Sequence, residues 1–297
     1  MSHPVTVGAW YAGLAFLIWG LFPLFWVHLG AVPPLQLVAH RIVWCAVAVW
    51  LFLLLRGELS WVRGIAPRTL RLLCVGALLI TVNWTVYVVA VTTGHVVDAS
   101  LGYFITPLVN ITLAVFVLRE RLNRAQLLAV LLAGIGVTWL GWRLGAPPWV
   151  ALLLAVTFAL YGLVRKLAPY PAVQSLAVES GVLLLPAVAY LAWCELRGTA
   201  AFLHGNPRDD LLLVIGGPVT AIPLVLFAAG AQRVPMTLLG VLQYISPTVG
   251  LAIGVLVLHE PFGTTRQLAF ACIWVALAVF TADGLRRYRR VRVEAPL

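Results

Sequence analysis

The sequence predicts an all-α integral membrane protein: ten transmembrane helices in two inverted five-helix repeats, with both termini in the cytoplasm. Three observations carry that expectation. First, 62% of the 297 residues are hydrophobic, 10% are charged and the mean hydropathy is +1.01, whereas soluble domains run near 45–50% apolar and about 25% charged. Second, ten apolar stretches follow one another, each close to the roughly 20 residues a helix needs to cross a bilayer. Third, the chain matches itself at an offset of 140 residues, pairing Phe104-Ile105-Thr106-Pro107 with Tyr244-Ile245-Ser246-Pro247 and Val117-Leu118-Arg119-Glu120 with Val257-Leu258-His259-Glu260.

Charge, Pro and Gly bound the spans at about 7–28, 35–55, 70–92, 98–118, 125–142, 148–165, 176–194, 211–231, 236–258 and 267–285. The first has no basic leader and no small-residue cleavage site, and it is too long for a signal peptide, so it is expected to be retained. The second carries His40 and Arg41 about one and a half turns from its start, with Trp44 following His40 on one face. Arg56, Arg63, Arg68 and Arg71 separate it from the third span, whose centre holds Asn83 and Trp84, with Tyr87 one turn along. The fourth span begins near Asp98 and lines Ser100, Tyr103, Pro107, Asn110 and Ala114 along one stripe about 80° wide. Pro107 removes a backbone donor there and is expected to kink the helix. Arg119, Arg121 and Arg124 lead into the fifth span, and Arg165 and Lys166 close the sixth. Glu179 is the carboxylate well inside a span of the second half. The eighth span ends before Arg233, the ninth repeats a stripe of Gly240, Gln243, Ser246, Pro247, Gly250 and Gly254, and the tenth runs into a tail with arginines from Arg286 to Arg292.

With the N-terminus inside, fifteen basic residues fall in cytoplasmic loops and the tail against four in the outer loops. That is the positive-inside pattern. It also explains the net charge of +10 without nucleic acid, and the tail reads as an anchor on anionic lipid. The four cysteines lie in apolar stretches without metal-ligand spacing and read as core residues.

Five spans per repeat is an odd number, so the second half enters the membrane from the opposite side. Residues 1–144 and 145–297 form the two units. Inverted repeats are the common architecture of secondary transporters, with a substrate site at the repeat interface.

Several motifs carry a resemblance: His40-Arg41-Ile42-Val43-Trp44, Asn83-Trp84, the run from Ser100 to Leu108, Tyr161-Gly162-Leu163-Val164-Arg165-Lys166, Glu179, Gln243-Tyr244-Ile245-Ser246-Pro247-Thr248 and the run from Ile273 to Ala278. In this order they resemble the RarD branch of the EamA family, within the drug/metabolite transporter superfamily. The resemblance implies a ten-helix bundle in the bacterial inner membrane and a small organic substrate. Characterised relatives in the superfamily export amino acids, aromatic ones included, and RarD is linked by name to chloramphenicol sensitivity. One departure is Thr106, where the family usually carries Asn, so selectivity is expected to differ if that side chain touches substrate.

Polar groups at membrane depth are costly and usually face the bundle interior or a water-filled cavity, which makes them the candidates. Asn83, Trp84, Tyr87, Tyr103, Thr106, Asn110, Tyr161, Gln243 and Tyr244 are the expected substrate-binding set. His40, Arg41, Trp44, Asp98, Arg165 and Glu179 are the expected gating or coupling set: an Arg41–Asp98 ion pair as an outer latch, His40 as a proton carrier, and Glu179 paired with Arg165 or Lys166 as an inner gate or coupling site. Packing and interhelical hydrogen bonds would use the same residues, and both uses stay open here. Glu120 and Glu260 read as helix-end electrostatics.

The expected function is secondary transport, with export the expected direction, of amino acids, amphipathic metabolites or drugs. The partners are that small molecule, the lipid bilayer and, as candidate coupling ion, protons; no nucleic acid and no cofactor are called for, and both a monomer and a homodimer are compatible. No Walker A motif suggests ATP. Two alternatives are a non-transporting scaffold or receptor, which needs no midplane amide and aromatics, and an integral-membrane enzyme, for which neither H-E-x-x-H nor G-x-S-x-G is present.

Overall fold

A computed structural model describes residues 3–118, 123–167, 170–231, 233–234 and 242–294. The helices are α1 His3–Trp26, α2 Pro34–Leu55, α3 Pro67–Thr92, α4 Val96–Leu118, α5 Arg124–Leu144, α6 Trp149–Leu167, α7 Ala172–Leu196, α8 Pro207–Ala231, α9 Ile245–Ala252 and α10 Thr264–Glu294. Seven of them contain stretches long and apolar enough to cross a membrane, and α4, α6 and the α9 region supply shorter apolar segments. The chain is an all-α, multi-pass membrane protein. Large apolar side chains face outward around the bundle, with Leu196 at 87% and Leu185 at 78% exposure, the arrangement hydrocarbon rather than water rewards.

Local chemistry sets the helix ends. Pro34 and Pro67 occupy the first helical position of α2 and α3, where the missing N–H costs nothing. Asn123 and Gln126 form a reciprocal capping box at the start of α5, with bonds of 2.8 and 3.1 Å. Gly145 ends α5 in the left-handed region at φ 70°, a conformation that favours glycine.

Helices α7, α8 and α10 extend beyond the expected spans 176–194, 211–231 and 267–285. Hydropathy marks the hydrocarbon depth, whereas a helix goes on satisfying its own backbone at the interface. The ninth span, expected as one element over 236–258, differs more. Helix α9 covers Ile245–Ala252 and passes into a wider turn, Ile253–Val257; residues 235–241 lie outside the described set. Leu258 N donates to Ile253 O and Glu260 N to Gly254 O, and His259 takes φ 54°, so the chain turns sharply there.

The end of the bundle at the start of α1 is here the proximal face, and the end at the α1–α2 connection is the distal face. The principal packings recur when every helix number is shifted by five. Helix α1 packs on α8 as α3 packs on α6, α2 on α8 as α3 on α7, and α4 on α6 as α1 on α9. Pairs α2–α7, α4–α9 and α5–α10 map onto themselves. Small residues permit the closest crossings: a Cβ on Gly217 would overlap the Trp44 backbone, and one on Gly102 would lie 2.7 Å from Ala151 O.

Candidate functional site

The polar side chains of α2, α3, α4, α6, α7 and α8 converge in three groups along the bundle axis. Toward the distal face, Arg41 is 3% exposed although it lies seven residues into α2. Its Nε donates to Thr220 Oγ1 of α8 at 2.9 Å, and the Thr220 hydroxyl in turn donates to Gly216 O at 2.8 Å. The guanidinium lies 4.1 Å from the ring centre of Trp84, 5.2 Å from Trp26 and 5.6 Å from Phe22, within cation–π reach of all three.

The middle group is built on Asn83, which is completely buried. Its amide nitrogen donates to Leu154 O at 3.1 Å and Thr157 Oγ1 at 3.0 Å on α6, while its carbonyl accepts from Tyr103 OH of α4 at 3.0 Å. One amide therefore ties three helices together. Tyr87 packs against Tyr103 with ring centres 5.9 Å apart, Tyr103 against Phe158 at 5.7 Å, and Phe158 against Tyr161 at 6.3 Å.

That file of rings reaches the third group, toward the proximal face. Tyr161 OH donates to Glu179 Oε2 at 3.0 Å, and Arg165 Nη1 lies 3.5 Å from Glu179 Oε1. Glu179 is 2% exposed. The pairing expected between Glu179 and the end of the sixth span is thus present through Arg165; the side chain of Lys166 lies outside the described residues. Gly76 of α3 makes room for it, since a Cβ there would sit 3.3 Å from Oε1.

The Arg41–Asp98 latch does not form. Asp98 Oδ2 pairs with Arg266 Nη2 at 3.1 Å, and Arg41 turns to Thr220 and its aromatic neighbours. Asp98 lies in the first turn of α4, beside the turn between α9 and α10, while Arg41 sits in the α1–α2–α8 crossing. Equal depth in two spans does not make them neighbours.

Other expected residues are dispersed. Thr106 spends its hydroxyl on Gly102 O at 3.1 Å within its own helix. Tyr244 stacks on Phe104 at 6.3 Å, in the cluster of α4, α5 and α10 rather than beside Asn83. Gln243 is half-buried and makes no side-chain hydrogen bond among the described residues. The side chains of Asn110 and Glu120 lie outside the described set. His40 and Trp44 stand under Phe202, at ring distances of 4.9 and 6.2 Å.

Composition and spacing did not point to Gln36, Phe202, Thr220 or Thr157. Gln36 receives Ala201 N at 2.8 Å and donates to Thr199 O at 2.7 Å, clamping the α7–α8 connection over the distal end of α2 and placing Phe202 on His40. A polar side chain in the first turn of an apolar span was the available signal. Glu260 accepts Val96 N at 2.7 Å and Val97 N at 2.8 Å, capping two buried donors at the start of α4 that have no partner within the helix.

Comparison with known proteins places this arrangement. The sequence model of the EamA-like transporter family matches residues 6–142 and again residues 147–282. Protein RarD of Streptomyces exfoliatus is 44% identical over 97% of this chain and 92% of its own length. A Bacillus subtilis protein named as the uncharacterized transporter YojE is 42% identical over 96% of this chain and 97% of its own. A protein of known crystal structure shares 24% identity and a TM-score of 0.62 over 94% of this chain and 98% of that one, a likeness of fold. With two matches that together span nearly the whole sequence, the chain belongs to the EamA-like transporter family, on its RarD-like branch.

Proposed function

We propose that this membrane transporter is a secondary exporter of a small organic solute, such as an amino acid, an amphipathic metabolite or a drug. It works by alternating access between two inverted five-helix repeats, residues 1–144 and 145–297. In this account the protein spans the bacterial inner membrane ten times with both termini in the cytoplasm, so the distal face is external. The recurrence of helix packings on a shift of five supports the repeat, and the fifteen-to-four bias of basic residues supports the orientation.

The observation that carries the proposal is the buried file running from Arg41 through Asn83, Tyr87 and Tyr103 to Tyr161 and Glu179. A structural bundle in hydrocarbon gains little from such groups, since a hydrogen bond between membrane helices is worth only ~0.6 kcal/mol on average. Amide, phenol and indole groups stacked along an axis instead suit a solute with a polar head and an apolar body. At the distal end, the 199–204 connection with Phe202 acts as a lid clamped by Gln36. At the proximal end, Tyr161, Glu179 and Arg165 form the opposing gate and the candidate point of proton coupling. One chain closes the pathway by itself, so a monomer suffices.

The test is flux through proteoliposomes of the purified protein under an imposed pH gradient. The gradient is expected to accelerate release in wild type and to lose its effect in Glu179→Gln, with downhill flux retained. A Glu179→Gln variant that responds to the gradient like wild type would reject the coupling role.

A further inference from the structure

Helices α2 and α7 begin and end alike. Each starts behind a capping proline, Pro33 or Pro171, and carries a glutamine as its third residue, Gln36 or Gln174. Each ends in Leu-Arg-Gly, Leu55-Arg56-Gly57 or Leu196-Arg197-Gly198, with the glycine in the left-handed region at φ 67° or 66°. The next amide bonds back in the same way, Glu58 N to Leu53 O at 3.0 Å and Thr199 N to Cys194 O at 2.9 Å. The α2–α3 connection on the proximal face and the α7–α8 connection on the distal face are therefore counterparts at an offset of 141 residues. Glu58 matches Thr199, Ser60 matches Ala201 and Trp61 matches Phe202.

The two connections are held differently. On the distal face Gln36 grips the turn by two backbone atoms, accepting from Ala201 N at 2.8 Å and donating to Thr199 O at 2.7 Å. That grip keeps Leu203 at φ 65°, an unfavourable region for a branched side chain, so the clamped connection is under strain. On the proximal face the counterpart glutamine grips neither atom. Gln174 is half-buried and makes no side-chain hydrogen bond among the described residues. Glu58 O accepts Trp61 Nε1 at 2.7 Å instead, and the short helix that opens with Ser60 has no side-chain cap. Yet Leu59 and Trp61 already pack in one cluster with Val173 and Leu176 at the start of α7, which puts Gln174 beside the turn it would hold. Five residues beyond each glutamine stands a buried ionisable group at one end of the axial file, Arg41 or Glu179. Helices α2 and α7 also pack directly on each other. Rocking of that antiparallel pair brings one glutamine onto its connection as it draws the other away.

We infer that Gln36 and Gln174 are opposing latches. Gln174 takes Ser60 N and Glu58 O when the distal connection is released, as Gln36 takes Ala201 N and Thr199 O here, and the two clamped states exclude each other. The inference rests on the alternating-access proposal and names the residues that hold each end shut. Both are positioning residues, acting through the backbone of a connection and not on the solute. The structure described above is the distal-latched state.

The experiment is amide hydrogen exchange, read by mass spectrometry on the full chain in lipid nanodiscs without solute. A bonded amide exchanges through the state in which it is released, so in the distal-latched protein the rate over residues 199–204 reports the population of the opposite state. Gln174→Ala weakens that opposite state and is expected to slow exchange over 199–204 about tenfold, the shift that two hydrogen bonds between membrane helices produce. A side chain that makes no bond in this structure, at the other end of α7, has no structural route to such protection. Gln36→Ala is expected to speed exchange over 199–204 about tenfold and to slow it over residues 58–62. Exchange over 199–204 unchanged in Gln174→Ala, or exchange over 58–62 not slowed in Gln36→Ala, overturns the latch pair. Gln174→Ala removes no bond of the distal-latched state, so it carries the test even if Gln36→Ala fails to fold. Because exchange is read without solute, it decides the latches alone, whereas the solute pool described at the end of the Discussion decides transport.

Discussion

At the scale of single residues, the interior polar groups differ in what they hold. Asn83 satisfies three partners on two other helices, so Asn83→Ala leaves Tyr103 OH and Thr157 without their bond to it. At about 0.6 kcal/mol per interhelical bond in a membrane, the expected loss of stability is about 1–2 kcal/mol, read as a lower melting temperature in detergent, while flux falls by more than about tenfold. Equal melting and equal flux in that variant would make Asn83 a bystander. Residue identity was legible in the sequence here, since Asn83, Arg41, Tyr103, Tyr161 and Glu179 stand out as polar groups at depth. Lateral neighbourhood was not. Nothing along the chain says that Asp98 faces Arg266 rather than Arg41, because depth follows from position in a span while the partner depends on how distant helices pack.

At the scale of elements, two contacts make quantitative claims. Glu260 holds two backbone donors at the start of α4, from a turn more than 160 residues away in sequence. Glu260→Ala is expected to cost about 1–2 kcal/mol, the range of a lost helix cap, and to fray α4, which hydrogen exchange at residues 96–99 measures directly; unchanged exchange there would remove the capping role. Gly217 marks the tightest approach of α8 to α2. Gly217→Val is expected to cost about 1–3 kcal/mol by overpacking, while the same substitution at Gly64, where a side chain would meet nothing within 4 Å, should leave the melting temperature nearly unchanged. Helix existence was readable from apolar length and proline position. The break at Ile253–Val257 was not, because the turn is formed by backbone bonds to Ile253 O and Gly254 O that leave no mark in hydropathy.

At the scale of the whole molecule, the offset of 140 residues between matched motifs and the shift-by-five recurrence of packings both accord with the proposed pair of five-helix units. Of the two matched glutamates, Glu260 caps the start of α4. The proposed repeat is read from short matched motifs, whereas the packings of α1 on α8 and of α3 on α6 depend on contacts that no local pattern encodes. The account places both ends of the chain inside the cell. Reporter fusions at residues 2 and 297 should therefore both be inactive for an enzyme that works only outside and active for one that works only inside; opposite signals at the two ends would break the inverted-repeat topology.

The central claim is that the buried axial file is a transport pathway. It is tested most directly by loading proteoliposomes with a mixed pool of amino acids, aromatic acids, small amphipathic drugs and metabolites, and following by mass spectrometry what leaves under gradients of either direction. Wild type should selectively deplete one compound class, and Asn83→Ala should abolish that depletion while remaining folded. Retention of the whole pool in both directions, or depletion that Asn83→Ala leaves intact, would contradict the account.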